Sequence, residues 1–380
     1  MSQSAAEDAR PLAKDTLAVR GGVDHLEGEG VAPPIHLSST FVRPGDDVSA
    51  GWSYARGNSP AYGPLERALA ALEGGIDAVA FNAGAAAAVA LLDEAVPGTA
   101  IVMPPDAYYG IRVYAQQRLP ALGVEVRLVD PADLAELDRA LVGASLLWVE
   151  TPTNPLVAIT DLEAVAGRAA ARGVPWFCDN TFATPVLQNP LAYGAAAAMH
   201  SATKYIGGHS DLLLGGVACA DVDLARRLRA RRSQYGTQPD GFTAWLARRG
   251  MQTLPLRIRH QSRTALELAT RLVNHPAVAR VHYPGLPEDP GHAVAGRQMH
   301  GGYGAIISAV VAGGAEQARR VVANCQVWVP ATSLGGVESL IERRARWAGE
   351  VADPGLLRLS VGLEDSDDLW HDLARALSAA

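Results

Sequence analysis

The lysine of the segment HSATKYIGGHSDLLLGG, Lys204, is the residue whose type and setting point most directly to chemistry. Lys14 and Lys204 are the two lysines among the 33 lysines and arginines of the chain, so arginine serves almost everywhere that a positive charge alone is needed. Small and apolar residues surround Lys204, with no carboxylate beside it. Burial lowers the pKa of an ammonium group, and the neutral amine can attack a carbonyl and form an imine, which arginine cannot do. This pattern favours a nucleophilic lysine over one that extends its charge to solvent.

An imine-forming lysine is most powerful with pyridoxal phosphate, which needs a carboxylate for its ring nitrogen and donors for its phosphate. Asp179 follows the apolar run VPWFC, where the carboxyl end of a parallel strand would lie at a ligand-binding edge. In FNAGAAAAVALL a predicted strand leads into a predicted helix, whose free N–H groups favour an anion. Asp179 could instead cap a turn, and the helix could simply pack on the sheet. The candidate phosphate ligands are Gly84, Ala85, Ser201, Thr203 and Arg56.

Alternating helices and apolar strands after Pro64 predict the framework that holds these residues. The runs AVAFN, TAIVMPP, VEVRLVD, SLLWVETP and VPWFCDN are predicted strands, and helical patterns separate several of them. Such alternation implies an α/β fold with a mostly parallel sheet and helices on both faces. A long helical stretch over 243–274 precedes a smaller α+β region. We therefore predict an N-terminal arm over 1–55, a large domain over 56–247 and a small domain over 248–380.

Composition argues against several other classes of protein. The chain has 380 residues and a net charge of −7, which gives no electrostatic reason to bind nucleic acid or an anionic membrane. No apolar run reaches the length of about 20 residues that spans a membrane, and the first 15 residues contain no apolar signal core, so we expect a cytoplasmic protein. The cysteines form no CxxC pair, and His200 and His209 lack companion ligands, so we expect no metal.

Several segments together resemble the Cys/Met-metabolism family of pyridoxal-phosphate enzymes, which includes cystathionine γ-synthase, cystathionine γ-lyase and methionine γ-lyase. The matches keep their order from about Gly21 to the C-terminus. The resemblance implies the fold type I architecture of pyridoxal-phosphate-dependent transferases, pyridoxal 5′-phosphate as cofactor and an amino-acid substrate. The matching segments are YARGNSPAYGPLE, VETPTNP, DNTFATP, TKYIGGHSD, ATSLGGVESLIE and LLRLSVGLED.

The resemblance also implies roles for single residues. Lys204 matches the lysine that forms a Schiff base with the cofactor, and Asp179 matches the partner of the ring nitrogen. Tyr108 matches the tyrosine that stacks on the ring and assists proton transfer, although a slip of one residue would exchange it for Tyr109. Arg358 matches the arginine that binds the substrate α-carboxylate. The other matching positions are Gly84, Ala85, Ser201 and Thr203 at the phosphate, Glu150 and Asn154 near the ring, Thr181 elsewhere at the cofactor, and Thr332, Ser333 and again Asn154 at the substrate.

The resemblance further implies self-association. Tyr54 and Arg56 match residues that reach the phosphate of the neighbouring subunit's cofactor, so two subunits would share each active site. We expect a homotetramer built as a dimer of dimers, although the sequence does not decide between dimer and tetramer.

Departures from the family pattern bear on the reaction. Lyases that handle cystathionine carry a glutamate before the YxR tyrosine, an arginine after the stacking tyrosine and a glutamate before SLGG, and these positions are Ser53, Val113 and Thr332 here. The distal amino-acid group of cystathionine would lose charged partners at these positions, whereas the uncharged thioether of methionine would not. Against this, the cysteine that methionine γ-lyases place two residues after the stacking tyrosine is Gly110. The segment ERRARWAGE resembles a lyase-like branch of the family.

We therefore predict a carbon-sulfur lyase of amino-acid metabolism, of the methionine γ-lyase or cystathionine γ-lyase type found in transsulfuration. It would convert cystathionine or methionine into 2-oxobutanoate, ammonia and a thiol. The alternative is γ-replacement on an activated homoserine ester, as in cystathionine γ-synthase. A noncatalytic binding protein on the same scaffold is a remote alternative, since the candidate catalytic set is intact.

Overall fold

The computed structural model describes residues 11–24, 26–43, 45, 51–346 and 352–380. The larger of its sheets has the strand order β1-β7-β6-β5-β4-β2-β3, in which β2 to β6 pair in parallel and β7 runs antiparallel to both β1 and β6. The prediction of a mostly parallel sheet is confirmed. The seven strands are β1 (Asp77–Phe81), β2 (Ala100–Met103), β3 (Glu125–Leu128), β4 (Ala144–Glu150), β5 (Trp176–Asp179), β6 (Ala197–Ser201) and β7 (Gly215–Cys219).

Helices cover both faces of this sheet, as predicted. Successive residues of a strand point to opposite faces, so Phe177 packs in the cluster that includes α3, α4 and α8, and Cys178 packs in the cluster that includes α5 and α6. The first eight α-helices in the described residues are α1 (Lys14–Arg20), α2 (Gly63–Glu73), α3 (Gly84–Leu92), α4 (Tyr109–Arg118), α5 (Leu134–Ala140), α6 (Leu162–Arg172), α7 (Thr184–Leu187) and α8 (Val222–Tyr235).

A smaller, mostly antiparallel sheet follows in the C-terminal part of the chain, with the order β10-β11-β12-β9-β8. It lies beyond the predicted boundary at residue 247, and the boundary itself stays a prediction. Among the helices described, none combines the length and apolarity needed to cross a bilayer. The remaining elements are α9 (Gly241–Met251), α10 (Leu254–Val273), β8 (Val278–His282), α11 (His292–Gln298), β9 (Ile306–Val311), α12 (Gly314–Asn324), β10 (Val329–Pro330), β11 (Leu340–Arg343), β12 (Leu356–Ser360) and α13 (Ser366–Ala379).

The predicted helical stretch over 243–274 is divided into two helices. Helix α9 ends at Met251 and α10 begins at Leu254. Pro255 has no N–H group, and its ring would clash with the carbonyl group four residues earlier, at Met251. One uninterrupted helix therefore cannot pass through this position.

The predicted N-terminal arm contains one element that packs on the same chain. Ala18 of α1 is fully buried, and Arg248 donates to the carbonyl groups of Ala18 and Val19 at 3.0 and 2.8 Å. Farther along the arm, apolar side chains are exposed: Leu37 is 77% and Val42 is 99% accessible. The single chain therefore leaves much of the arm uncovered.

Candidate active site

The candidate site lies where parallel strands of the larger sheet end. Glu150 and Asp179 end β4 and β5 and are register partners. Ser201 ends β6, and Lys204 lies in the turn that follows. The Nζ atom of Lys204 donates to Ser333 Oγ at 2.7 Å. The segment that precedes β11 thus contacts the lysine, and the site is built from both sheets.

The environment of Lys204 favours its neutral form. Burial and the positive charge of Arg358 lower the pKa of Lys204 to about 8, although the carboxylate of Glu342 opposes this. A substantial fraction of the side chain is therefore an unprotonated amine near neutral pH, which is the nucleophilic and basic form.

Two carboxyl groups lie side by side at the strand ends. Burial raises the pKa of Glu150 and of Asp179, and the charge of Asp179 raises that of Glu150 further. Both oxygens of Glu150 accept backbone N–H groups, from Tyr108 at 2.7 Å and from Asn154 at 3.0 Å. A cation bound against this pair would stabilise its ionised form.

Asp179 is held from one side by Thr181. The N–H of Thr181 donates to Asp179 Oδ1 at 3.0 Å, and Thr181 Oγ1 accepts the N–H of Ser201 at 2.8 Å. Because Glu150 uses both oxygens on backbone groups, Asp179 is the better placed of the two acids to accept a hydrogen bond from a protonated ring nitrogen. The adjacent strand ends thus orient one buried carboxylate.

The N-terminus of α3 lies against the end of β6. A Cβ atom added to Gly84 would lie 2.8 Å from both Cβ and Oγ of Ser201, so only glycine fits here. No side chain caps the helix, which leaves the first N–H groups, including that of the exposed Ala85, to another acceptor. An uncapped helix N-terminus beside a serine hydroxyl suits a phosphate group. Thr203 lies next to it, although its hydroxyl bonds with the backbone of Leu214.

The half-buried lysine, the strand-end acid and this cradle fit pyridoxal phosphate. Its aldehyde needs an amine, its ring nitrogen a carboxylate and its phosphate a set of donors. Gly84, Ser201, Asp179 and Lys204 would hold the group at these points.

Arg358 lies on the other side of Ser333 from the lysine. It is 3% exposed, and its Nη2 donates to Ser333 O at 2.9 Å and to Glu342 Oε2 at 2.7 Å. Its Nη1 donates to Asn154 Oδ1 at 2.9 Å. The structure therefore brings Lys204, Ser333, Asn154 and Arg358 together, and the roles predicted for them stay predictions.

Glu342 is a residue of this site that sequence reasoning missed. It is 3% exposed and pairs in register with Arg358 across β11 and β12. Arg344 also donates to it, at 2.9 Å. The segment that contains Glu342 and Arg344 stood out in the sequence, but only the pairing of the two strands shows that Glu342 orients Arg358.

Thr332, predicted to lie near the substrate, is joined to this charged cluster. Its Oγ1 donates to Glu342 Oε1 at 3.0 Å and accepts from Arg346 Nη2 at 2.7 Å. A cleft of about 520 Å³ opens here, and its lining includes Thr203, Ser210, Asp211, Thr332, Ser333 and Glu338.

Tyr108 lies at the start of α4, beside the acid pair. Its N–H bonds with Glu150, and its side chain is 45% exposed. A Cβ atom on Gly110 would lie 3.1 Å from Tyr108 Cε1, so the cysteine that methionine γ-lyases carry there would press on this ring. Tyr109, the alternative, lies beside Arg112, whose Cζ is 5.8 Å from the ring centroid.

Tyr54 and Arg56 are not brought to the lysine by contacts within the chain. Arg56 Nη1 donates to Ser233 O in α8 at 3.0 Å, and its Cζ lies 5.6 Å from the Tyr54 ring centroid. Tyr54 is 51% exposed. A role at a cofactor phosphate would therefore require a second subunit.

Comparison with known proteins agrees with this geometry. The family model described as Cys/Met metabolism PLP-dependent enzyme matches residues 15–378. The chain belongs to this family. Pyridoxal phosphate is therefore its cofactor, and the predicted family is confirmed. A curated member, the cystathionine gamma-synthase of Mycobacterium tuberculosis (strain ATCC 25618 / H37Rv), is 42% identical over 355 residues, which cover 90% of this chain and 91% of that protein.

Other family members differ in their named reactions. The L-methionine gamma-lyase of Brevibacterium aurantiacum is 42% identical over 399 residues, covering 98% of this chain and 96% of that protein. An apo methionine gamma lyase structure from Micromonospora echinospora matches with a TM-score of 0.90 and 42% identity, over 96% of this chain and 99% of that chain. The metB structure from Corynebacterium glutamicum matches with a TM-score of 0.94 and 38% identity, over 97% and 98% of the two chains. These matches confirm the predicted fold, and they leave lyase and synthase both represented.

Proposed function

We propose that the protein is a sulfur amino-acid γ-lyase that cleaves methionine or cystathionine. The observation that carries the proposal is the linkage through Ser333, whose Oγ accepts from Lys204 at 2.7 Å and whose carbonyl oxygen accepts from Arg358 at 2.9 Å. A half-buried amine and a buried guanidinium thus flank one residue. An amino acid whose carboxylate binds Arg358 would present its Cα to Lys204.

The residues would divide the reaction between them. Bound pyridoxal phosphate supplies an electron sink that stabilises negative charge on the substrate carbons. Asp179 keeps a proton on the ring nitrogen, and Lys204, unprotonated in part near neutral pH, removes the Cα proton. Tyr108 donates a proton to the departing sulfur. In balance, the substrate and one water give 2-oxobutanoate, an ammonium ion and a thiol.

The distal end of the site supports a neutral thioether. Cystathionine-handling lyases carry a glutamate at the position of Thr332, and the hydroxyl here is already bonded to Glu342 and Arg346. Ser53 and Val113 likewise lack the charges of those lyases. We therefore favour methionine over cystathionine as the better substrate.

Replacement on an activated homoserine ester is the second candidate, favoured by the 42% identity to a cystathionine gamma-synthase. The cofactor-loaded protein should release 2-oxobutanoate from methionine without any thiol acceptor, as measured by 2-oxo acid detection. Lys204→Ala, checked for folding by circular dichroism, should release none. If the ester plus cysteine gives cystathionine while methionine and cystathionine alone give no 2-oxo acid, the enzyme is a synthase.

A matched variant tests the substrate assignment. Thr332→Glu places a carboxylate where a distal ammonium group would lie, so the ratio of kcat/KM for cystathionine to that for methionine should increase at least about tenfold. An unchanged ratio would mean that this position does not contact the distal end of the substrate.

We also propose that Tyr54 and Arg56 of a second subunit complete the active site that contains Lys204, and that the protein is a homotetramer. The exposure of Leu37, Val42 and Tyr54 supports a covering copy, because exposed apolar side chains that follow one segment are typical of an interaction surface. The cytoplasmic location stays a prediction.

A further inference from the structure

A buried pair of ionisable side chains lies behind Asp179, on the opposite face of the larger sheet. Glu73, the last residue of α2, and His200 in β6 place Oε1 and Nε2 2.6 Å apart. The residues are 2% and 1% exposed. Buried ionisable groups destabilise a fold unless they are paired and hydrogen-bonded, so their partners indicate what the pair holds in place.

Strand alternation puts this pair and the candidate cofactor site on opposite sides of the same backbone. Asp179 is the register partner of Met199, and Ser201 lies two residues farther on, so Asp179 and Ser201 share one face. Asn180 and His200 point to the other face. In agreement, Asn180 Nδ2 donates to Glu73 Oε1 at 2.7 Å.

Asn180 links the pair to Asp179, which it follows directly. Its side chain is fully buried, with Nδ2 also donating to Gln188 O at 2.9 Å and Oδ1 accepting from Gln188 Nε2 at 2.9 Å. Its N–H donates to Met199 O at 2.9 Å. The peptide that joins Asp179 to Asn180 is therefore fixed from the back by Glu73, while Thr181 holds the Asp179 carboxylate from the front.

The titratable groups that face the pair come from α1 and β5. Lys14 donates from Nζ to Leu72 O, and its charge acts on Glu73. Asn189 Nδ2 donates to Glu73 Oε2 at 3.1 Å. Cys178 and Asp179 are the titratable groups of β5 nearby. Glu73 thus bonds with the His200 ring and accepts from two side-chain amides, so one buried side chain joins three others.

We propose that Glu73 and His200 form a positioning pair for Asp179. Glu73 fixes the side chains of Asn180 and His200, and these two residues belong to the adjacent chain segments directly behind the Asp179 carboxylate. Burial raises the pKa of Asp179, and the hydrogen bonds of Thr181 and the charge of His200 oppose this increase. The pair acts on the ring nitrogen through Asp179 alone. It concerns cofactor binding, so it stands whether the enzyme is a lyase or a synthase.

The test measures cofactor binding rather than turnover. Pyridoxal 5′-phosphate is titrated into the apo forms of the wild type, His200→Gln, Glu73→Gln and the double variant, with the visible absorbance spectrum recorded at saturation. Both single variants should bind the cofactor at least about tenfold more weakly and change its absorbance maximum. The double variant should bind the cofactor no more weakly than whichever single variant binds it more weakly, because the two residues act as one unit.

Leu373→Ala provides the control for a loss of stability alone. Leu373 is 1% exposed in α13, in the small-domain core, and its truncation should lower Tm without touching the site. The proposal fails if Leu373→Ala, compared at equal loss of Tm, weakens cofactor binding as much as the pair variants do. It also fails if the pair variants bind and absorb like the wild type, or if their effects add. If His200→Gln does not fold, Glu73→Gln and Leu373→Ala still decide the question.

Discussion

Capture of pyridoxal phosphate by the apo protein should follow the protonation of Lys204. Burial and the charge of Arg358 lower its pKa to about 8, whereas an ordinary lysine titrates near 10.4. At pH 7.5 roughly one in four such amines is neutral, against roughly one in 800 for an ordinary lysine. The neutral amine is the nucleophile, so Lys204 should have an advantage of about 200-fold before any difference in intrinsic reactivity.

The assay mixes apo protein with pyridoxal phosphate from pH 6 to pH 10 and follows the visible absorbance by stopped flow. An N-acetyl-lysine amide measured at each pH corrects for ionisation of the aldehyde reagent. The corrected rate constant should rise with pH as the ammonium loses its proton, reach half of its maximum near pH 8 and level off above about pH 9. A rate that still rises steeply above pH 9 would show an ordinary lysine and refute the electrostatic argument.

Two variants should move this midpoint in opposite directions. Arg358→Gln removes the positive charge that lowers the pKa of Lys204, so the midpoint should rise, by up to about one unit. Glu342→Gln removes the negative charge that raises it, so the midpoint should fall. Shifts of the same sign would mean that altered packing, not charge, controls the amine.

Gly84→Ala should weaken cofactor binding at least about tenfold, because the new Cβ would lie 2.8 Å from Ser201. Gly167→Ala, in a helix with open space around the added Cβ, is the matched control and should bind normally. Mixing inactive Lys204→Ala subunits with Arg56→Ala subunits should restore about a quarter of the active sites, since half of the dimers are then mixed and each contains one intact site. No recovery after exchange of subunits, shown by mass photometry of tagged chains, would mean that Arg56 acts within its own subunit.

The strands that the sequence predicts best are those with large apolar residues. AVAFN, TAIVM and SLLWVE match β1, β2 and β4 to within one residue at each end, because branched and aromatic side chains suit a buried pleated surface. The prediction omits β6 and β7, whose sequences AAMHS and GGVAC are rich in alanine and glycine. Their small residues have a packing reason: a Cβ atom on Gly215 would lie 2.3 Å from Ala83 O, and one on Gly216 would lie 2.6 Å from Leu69 Cδ2. Close approach of α2 and α3 therefore overrides local β-propensity.

The site residues likewise differ in how far the sequence alone predicts them. Lys204 and Asp179 are visible in the sequence because their immediate neighbours already imply burial and a strand end. Glu342 is not, since its role arises from the antiparallel register that pairs it with Arg358, 16 residues away. The hydrogen bond that Asn180 donates to Glu73 likewise joins residues 107 positions apart. Interactions across the fold, unlike local patterns, required the structure.

A buried arginine of α10 that contacts the same turn explains why a lysine is kept at position 204. Arg257 donates to the carbonyl oxygens of Tyr205 and Gly250 at 2.7 and 2.8 Å, and burial lowers its pKa to about 10. At pH 7.5 only roughly one in 300 such groups would be neutral. Arginine thus keeps its charge even without a carboxylate partner and serves to hold the turn. Partial burial and the charge of Arg358 lower the pKa of Lys204 to about 8. It can therefore alternate between ammonium and amine near neutral pH, and that exchange, rather than positive charge, is what position 204 requires.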